Sequence, residues 1–179
     1  MLPEIISSVI NTKRLLLRPL LHEDAVSILF IRSNDIVNKY INRPKSITIE
    51  DAHIFLSKIE KLTEANDCIY RAIILKETNE LIGTICYFHI NKSIGFAEIG
   101  YELHPDHHNK GFMQEAIETM ISFGRDQLNL KTIVALVYPE NERSIHLLKK
   151  NNFLPDSFYK YVSKKNAGEL LVYYLLINK

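Results

Sequence analysis

Between Ala97 and Met120 the chain reads AEIGYELHPDHHNKGFMQEAIETM, and this stretch holds the residue types best able to do chemistry. Glu98 stands in an otherwise apolar strand, where desolvation would raise a carboxylate towards the working range of a general base. Strand alternation sets Phe96, Glu98, Gly100 and Glu102 on one face, with Ala97, Ile99, Tyr101 and Leu103 on the other. The competing reading of Glu98 is a strand-edge carboxylate paired with a cross-strand Lys or Arg. A polar turn, HPDHHNKGF, follows, with Pro105 near its start and Gly111 near its end. From Met113 onward, apolar and small residues recur at 113, 116, 117, 120, 121 and 124, the one-sided stripe of an amphipathic helix. A strand feeding a helix through such a turn aims unpaired backbone N–H groups at one point, where the helix dipole adds partial positive charge. That is an anion site suited to phosphate, or else a turn with only a structural role. His104, His107 and His108 cluster at the turn and superficially suggest metal ligands. They lie on irregular backbone with no accompanying carboxylate pattern, so no metal is expected. Imidazoles flanking a phosphate site are the better functional reading, with His107 at the surface.

The elements around this stretch are legible in turn. The 179 residues fit one domain, 1–179, with room for a sizeable core. Hydrophobic residues make up 46% and charged residues 24%, and the net charge of +1 gives no electrostatic case for nucleic acid as a main partner. Lys149-Lys150 and Lys164-Lys165 read as solvated faces. Cys68 and Cys86 sit alone in apolar runs without metal-ligand spacing, as buried thiols of a reducing compartment would. No apolar run is long enough to span a bilayer, and MLPEIISSVINTKR is not a persuasive signal peptide. A cytoplasmic location without membrane partners is the default expectation.

Arg14 to Leu20 predicts a short strand closed by Pro19, and His22 to Ser33 a helix with Ala25, Ile28 and Leu29 on one side. Asn34 to Ser46 reads as irregular. Thr48 to Asp51 resembles a capping box that opens a helix buried along Ala52, Phe55, Leu56, Ile59 and Leu62 and ends at Asn66-Asp67. Strands follow at Cys68 to Leu75, Leu81 to Ile90 and Phe96 to Leu103, the first two joined by a hairpin with Asn at the turn. After the amphipathic helix come a strand from Thr132 to Val137 and a helix from Asn141 to Lys150, with Asn152 as a left-handed cap. A final hairpin, Phe158 to Ser163 and Leu170 to Ile177, turns around Asn166-Ala167-Gly168. Successive antiparallel strands interleaved with helices predict a mixed α/β sheet.

Three segments carry a family resemblance. GY-x-L-x-P-x-x-x-x-K-G-x-x-x-E-A, from Gly100 to Ala116, resembles the acetyl-coenzyme A motif of the GNAT N-acetyltransferase superfamily. NTKRLLLRPLLHEDA resembles the opening of its RimJ/RimL-type branch. VYPENERSIHLLKKNNF resembles the branch signature V-x-P-x-N-x-x-S-I-x-L-L-x-K-x-G-F, with Asn152 in place of glycine. The resemblance covers nearly the whole chain in order and spacing. In the family's Q/R-x-x-G-x-G/A loop the backbone cradles the cofactor pyrophosphate. Here the six positions are His108, Asn109, Lys110, Gly111, Phe112 and Met113, of which only Gly111 matches. Asn109 replaces a glycine at a place where Asn tolerates left-handed angles.

The resemblance implies a GNAT fold: a mixed, mostly antiparallel sheet of about seven strands flanked by four helices. It implies acetyl-coenzyme A as co-substrate, no metal, and a primary amine as acceptor (a protein N-terminus or a small molecule). Leu103 and His104 count with the cofactor-binding residues, the pantetheine running beside Leu103 towards the strand that starts near Thr132. The family's A-E-I-G-Y strand matches Ala97 to Tyr101, carries a bulge and borders the cleft, which makes Glu98 the candidate base. Many relatives carry a tyrosine acid where this chain has Leu148. The branch pattern offers Ser144 at the leaving-thiol end instead, unless that serine only satisfies backbone groups of the first helical turn. Asn141 could cap the helix, bond the pantetheine arm, or both. Tyr40, Asn42 and Arg43 fall in the loop that walls the acceptor cleft. No Ser-His-Asp pattern, metal cluster or nucleophilic cysteine motif stands out, in agreement with direct transfer in a ternary complex. A non-catalytic acyl-coenzyme A sensor and an interaction domain on the same fold stay open, as do monomer and homodimer.

Overall fold

The computed structural model describes residues 2–41, 43–162 and 169–177. Its strands are β1 (Ile10–Asn11), β2 (Leu15–Pro19), β3 (Cys68–Leu75), β4 (Glu80–Asn91), β5 (Phe96–Leu103), β6 (Thr132–Val137), β7 (Leu154–Val162) and β8 (Glu169–Leu176). Its helices are α1 (Leu2–Ser7), α2 (Ala25–Ser33), α3 (Asp35–Asn38), α4 (Ile49–Glu64), α5 (Phe112–Leu128) and α6 (Glu142–Lys150). All eight strands join in one open sheet in the order β1-β2-β3-β4-β5-β6-β8-β7. Among the described residues only the β5–β6 pair is parallel, because α5 is the crossover between those two strands.

Both faces of the sheet are covered, which explains why β3 is buried along its whole length. On one face Leu15, Leu17, Ile73 and Ile85 pack with Met113, Ala116, Ile117 and Met120 of α5. On the other, Ala72 and Ile74 pack with Ile28 of α2 and with Ala52 and Leu56 of α4. The stripe expected on α5 is therefore its buried face, extended by Phe112, Phe123 and Leu128. Thr48 caps α4 as its sequence predicts: its hydroxyl accepts from the Asp51 amide, and the Asp51 carboxylate accepts from the amides of Ile47 and Thr48.

The eight strands and six helices exceed the expected seven and four through short elements. β1 has two residues, and α3 lies in a stretch that reads as irregular. Asn34 starts α3 by accepting from the amides of Ile36 and Val37 at 2.9 and 3.3 Å. The helix expected from His22 opens instead with a 3-10 turn, His22–Asp24, because Asp24 is drawn into a two-point contact with Arg18 at 2.7 and 2.6 Å. β7 begins at Leu154, four residues before the expected start. The turn expected at Asn166-Ala167-Gly168 lies outside the described residues.

Two features of the fold shape the site. First, β5 and β6 pair only at Phe96↔Thr132, Ala97↔Ile133 and Glu98↔Val134. Beyond them β5 continues against β4 as far as Leu103↔Gly83, and β6 against β8 as far as Val137↔Leu171. The sheet splits open from Glu98 onward. Second, the chain before β2 is clamped to the first turn of α5. Glu115 accepts from the Arg14 amide at 2.7 Å, from the Arg14 guanidinium at 2.7 Å and from the Thr12 hydroxyl.

Burial alone would raise the Glu115 carboxyl, but the Thr12 hydroxyl and the Arg14 amide and guanidinium together hold it below its usual value. Its stabilisation is thus present above the unfolded carboxylate range of about 4.3 and is lost as pH falls through the lower folded value. Glu115→Gln should lower stability at neutral pH by about 2 kcal/mol. Urea unfolding should show the gap between the variant and the native protein closing in acid. A gap independent of pH would mean that the carboxylate's charge is not what holds the clamp.

Candidate active site

The split between β5 and β6 opens a cleft of about 710 Å³. It gathers Glu98 from β5, Asn141 and Ser144 from the start of α6, and Tyr40 and Arg43 from the segment after α3. Asn42 lies outside the described residues. Leu103, His104 and the turn 108–113 do not line this cleft; they lie at the end of β5 and the start of α5.

Glu98 sits where the two strands part. Its cross-strand neighbours are Phe88 on β4 and Val134 on β6, so the alternative of a Lys or Arg partner across the strand is not realised. Its side chain is 28% exposed, and burial pushes the carboxyl up against the opposing pull of His89, 4.0 Å away. His89 takes a left-handed φ of 50° where the β4–β5 register slips between Phe88 and Asn91. The bulge expected beside this carboxylate thus lies on the facing strand.

Ser144 is held from two sides. Its amide donates to Asn141 Oδ1 at 3.2 Å, so Asn141 caps α6 through its side chain. Its hydroxyl meets the Tyr101 hydroxyl at 2.8 Å. Thr119 and Ser122 show the other habit of a helical hydroxyl, donating to the carbonyl four residues back; Ser144 does not. Burial pushes the Tyr101 phenol up to about 12, opposed by the bond to Ser144, so it stays a neutral hydroxyl. Leu148 is buried in the core and offers no acid.

The turn leading into α5 keeps its amides free. Asn109 (φ 60°) and Gly111 (φ 76°) both take left-handed angles. Among the described residues no acceptor meets the amides of Asn109, Gly111, Phe112 or Met113. The Phe112 and Met113 side chains are turned into the core at 8% and 7% exposure, so neither blocks the helix mouth. Arg14 Nη1 takes the Lys110 carbonyl at 2.8 Å, and because that peptide is trans and planar, the Gly111 N–H points the opposite way. His108 bridges the end of β5 to α6, with Nε2 at 3.0 Å from the Leu103 carbonyl and Nδ1 at 3.0 Å from the Arg143 guanidinium. Donation from Nε2 and acceptance at Nδ1 satisfy both contacts with a neutral ring.

His104 and His107 are built into the scaffold. The His104 ring is 7% exposed and stacks on Phe30 at 4.5 Å, and its backbone groups are taken by Ile82 and His107. His107, expected at the surface, has a side chain only 11% exposed, and its ring packs beside His104 and Phe112. Among the described residues no three His, Cys, Asp or Glu side chains converge as metal ligands.

Residues 14–154 match the acetyltransferase (GNAT) domain family. The chain belongs to the GNAT acetyltransferases. It is 36% identical over 162 residues to the uncharacterized N-acetyltransferase p20 of Bacillus licheniformis, covering 90% of this chain and 91% of that one. A GNAT-family acetyltransferase from Bacillus anthracis superposes with a TM-score of 0.79 at 27% identity, over 94% of this chain and 98% of that one. RimL, a ribosomal L7/L12 alpha-N-protein acetyltransferase solved with coenzyme A, shares the fold at a TM-score of 0.83 and 15% identity, over 95% of this chain and 98% of that one. The architecture is the GNAT acyltransferase fold. No helix among the described residues is long and apolar enough to cross a membrane.

Within this GNAT cleft lie polar groups that sequence reasoning missed. Glu102, only 3% exposed, pairs with Arg43 Nη1 at 2.5 Å, approaches Arg32 Nη1 at 3.9 Å and accepts from Thr84 at 3.2 Å. Alternation already set Glu102 on the face of Glu98, and a carboxylate there demands a cation; which cation was invisible. Tyr101 was assigned to the opposite face, and nothing in its spacing announced that it would reach Ser144.

The left-handed backbone at Gly111 makes one outcome definite. A Cβ there would force a residue with a side chain into φ 76° and sit 3.4 Å from Arg14 Nη2. Gly111→Ala should destabilise the fold by about 1–2 kcal/mol by urea unfolding. An unchanged midpoint would show that the turn relaxes without strain.

Proposed function

We propose that this acyltransferase moves an acetyl group from acetyl-coenzyme A to a primary amine by direct attack in a ternary complex, the 179 residues acting as one domain. The observation that carries this reading is the pairing of a helix mouth rich in free amides with a cleft that opens at a desolvated carboxylate. The amides of residues 109–113, at the positive end of α5, suit a pyrophosphate, with His108 and Lys110 beside them. The edge of β5 beyond Glu98, unpaired with β6, suits the amide groups of a pantetheine arm as far as Leu103, whose carbonyl His108 takes, with Asn141 at hand. When bound, acetyl-coenzyme A supplies the acetyl group as a thioester, so that the new C–N bond forms as the C–S bond breaks.

In this reading Glu98 takes the proton of the attacking amine, directly or through water. Burial makes it a stronger base than a solvated carboxylate. Ser144 donates its hydroxyl to the departing sulfur and is reinforced by the Tyr101 hydroxyl behind it. A thiol of pKa about 8.5 leaves a thiolate far less basic than the Tyr101 phenolate, so this pair stabilises sulfur by hydrogen bonding and keeps its own protons. Tyr40 and Arg43 line the acceptor side of the cleft, and Asn42 is proposed as a further acceptor contact. Holding both substrates in one cleft supplies much of the rate, since effective molarities of about 10⁵ M or more are reached by good positioning.

Isothermal titration should detect acetyl-coenzyme A binding, and thiol release should follow addition of an amine; no binding at millimolar concentration would overturn the reading. kcat/KM should fall as pH drops through an inflection above the ordinary carboxylate range, because the base must be ionised and burial raises it. Glu98→Gln should lose about 10²-fold or more in rate together with that inflection. Retention of the inflection in the variant would assign it to another group.

A further inference from the structure

We propose that the wall of the cleft built from Arg32 and Arg43 recognises an anion, and that the acceptor is a primary amine carrying a carboxylate or phosphate group further along its chain. This rests on the acetyl-transfer reading above and names the acceptor class for the same cleft.

Most of the charges in the cleft are already engaged. Arg32, Arg43, Lys45 and Lys58 face Asp51, Glu98 and Glu102. Asp51 is occupied by the amides of Ile47 and Thr48, and Lys45 by Asp35 at 2.5 Å. Glu102 is shared by two guanidiniums, which leaves this buried group with one positive charge in surplus. A buried cation without its full set of partners is costly, so the site is completed by an anion.

Geometry says where that anion goes. Arg43 is held rigid: Nε donates to Asn38 Oδ1 at 3.0 Å and Nη1 pairs with Glu102, while Nη2 is buried with no acceptor. Arg32 lies 3.7 Å over the Phe55 ring and its Nε likewise has no acceptor. Both nitrogens are buried in the wall of the cleft, and the two guanidinium side chains keep 11% and 14% exposure where they line it. Fixed guanidiniums that share one carboxylate suit an oxyanion at that exposed edge. Glu98 and Glu102 stand four residues apart on one face of β5, about 13 Å along the strand. An amine at Glu98 and an anion at Arg43 therefore belong to a chain several bonds longer than an α-amino acid. A polyamine finds the reverse of what it needs: Asp51 and Glu102 are engaged, and Glu98, 4.0 Å from His89, is the base.

The test is a thiol-release assay on the full chain with a matched panel: ω-amino carboxylates of increasing length, ω-aminoalkyl phosphates, diamines and neutral alkylamines. An anionic amine should exceed its neutral counterpart in kcat/KM by about tenfold or more, the scale of one charge-assisted hydrogen bond, with diamines below both. The better of the carboxylate and phosphate arms identifies the anion. Arg43→Met should bring the anionic-to-neutral ratio close to one. If loss of the Glu102 partner unfolds that variant, the panel on the native protein decides alone. Equal rates for anionic and neutral amines, or a preference for diamines, overturn the inference. Titration with acetyl-coenzyme A separates the two failures: binding without anion preference sinks only the acceptor class, whereas absence of binding sinks the acetyl-transfer reading beneath it.

Discussion

The site exists because one ladder of backbone hydrogen bonds stops early. Strands β5 and β6 share three residue pairs and then separate, each kept straight by its outer neighbour, β4 on one side and β8 on the other. Buried main-chain groups rarely go unpaired, so a split sheet is a demand for a partner that can donate and accept along an edge. Everything of chemical interest clusters there: a desolvated carboxylate at the fork, a serine and tyrosine hydroxyl across it, and the helix mouth beyond the end of β5.

The helix mouth depends on a second constraint, the grip of Glu115 on Thr12 and Arg14. The same guanidinium stacks over Phe112 at 4.5 Å and takes the Lys110 carbonyl. It orients the turn from behind, through carbonyl and ring, and leaves the N–H side open. The turn needs that support because only one of its six positions keeps the family's residue; Asn109 and Gly111 supply the left-handed angles, and the clamp supplies the aim.

How much of this was legible depended on whether the signal was local. The Thr48 cap, the Asn141 cap, the left-handed Asn152 and the stripe of α5 are governed by neighbours a few residues away, and each appears where its pattern predicts. Alternation placed Glu98 and Glu102 on one face without error. The partners of those side chains were hidden, because Arg43 and Arg32 reach Glu102 from 59 and 70 positions away in the chain. Tyr101 defeated alternation in a more instructive way. Its face was assigned correctly, on the side of α5 and α6, but only the parting of β6 lets its hydroxyl meet α6. Short elements such as α3 escaped for the opposite reason: a single Asn side chain creates them, and no periodicity can accumulate over four residues.

The Thr12–Arg14–Glu115 grip joins groups about a hundred positions apart. Loop closure over such a span is entropically late, after the local hairpin of β3 and β4 has formed. During synthesis on the ribosome, the opening segment with Thr12 and Arg14 therefore waits for the turn into α5 and Glu115 to emerge. Until the two ends of that long loop meet, the nascent polypeptide has the residues of the turn without its rigidity.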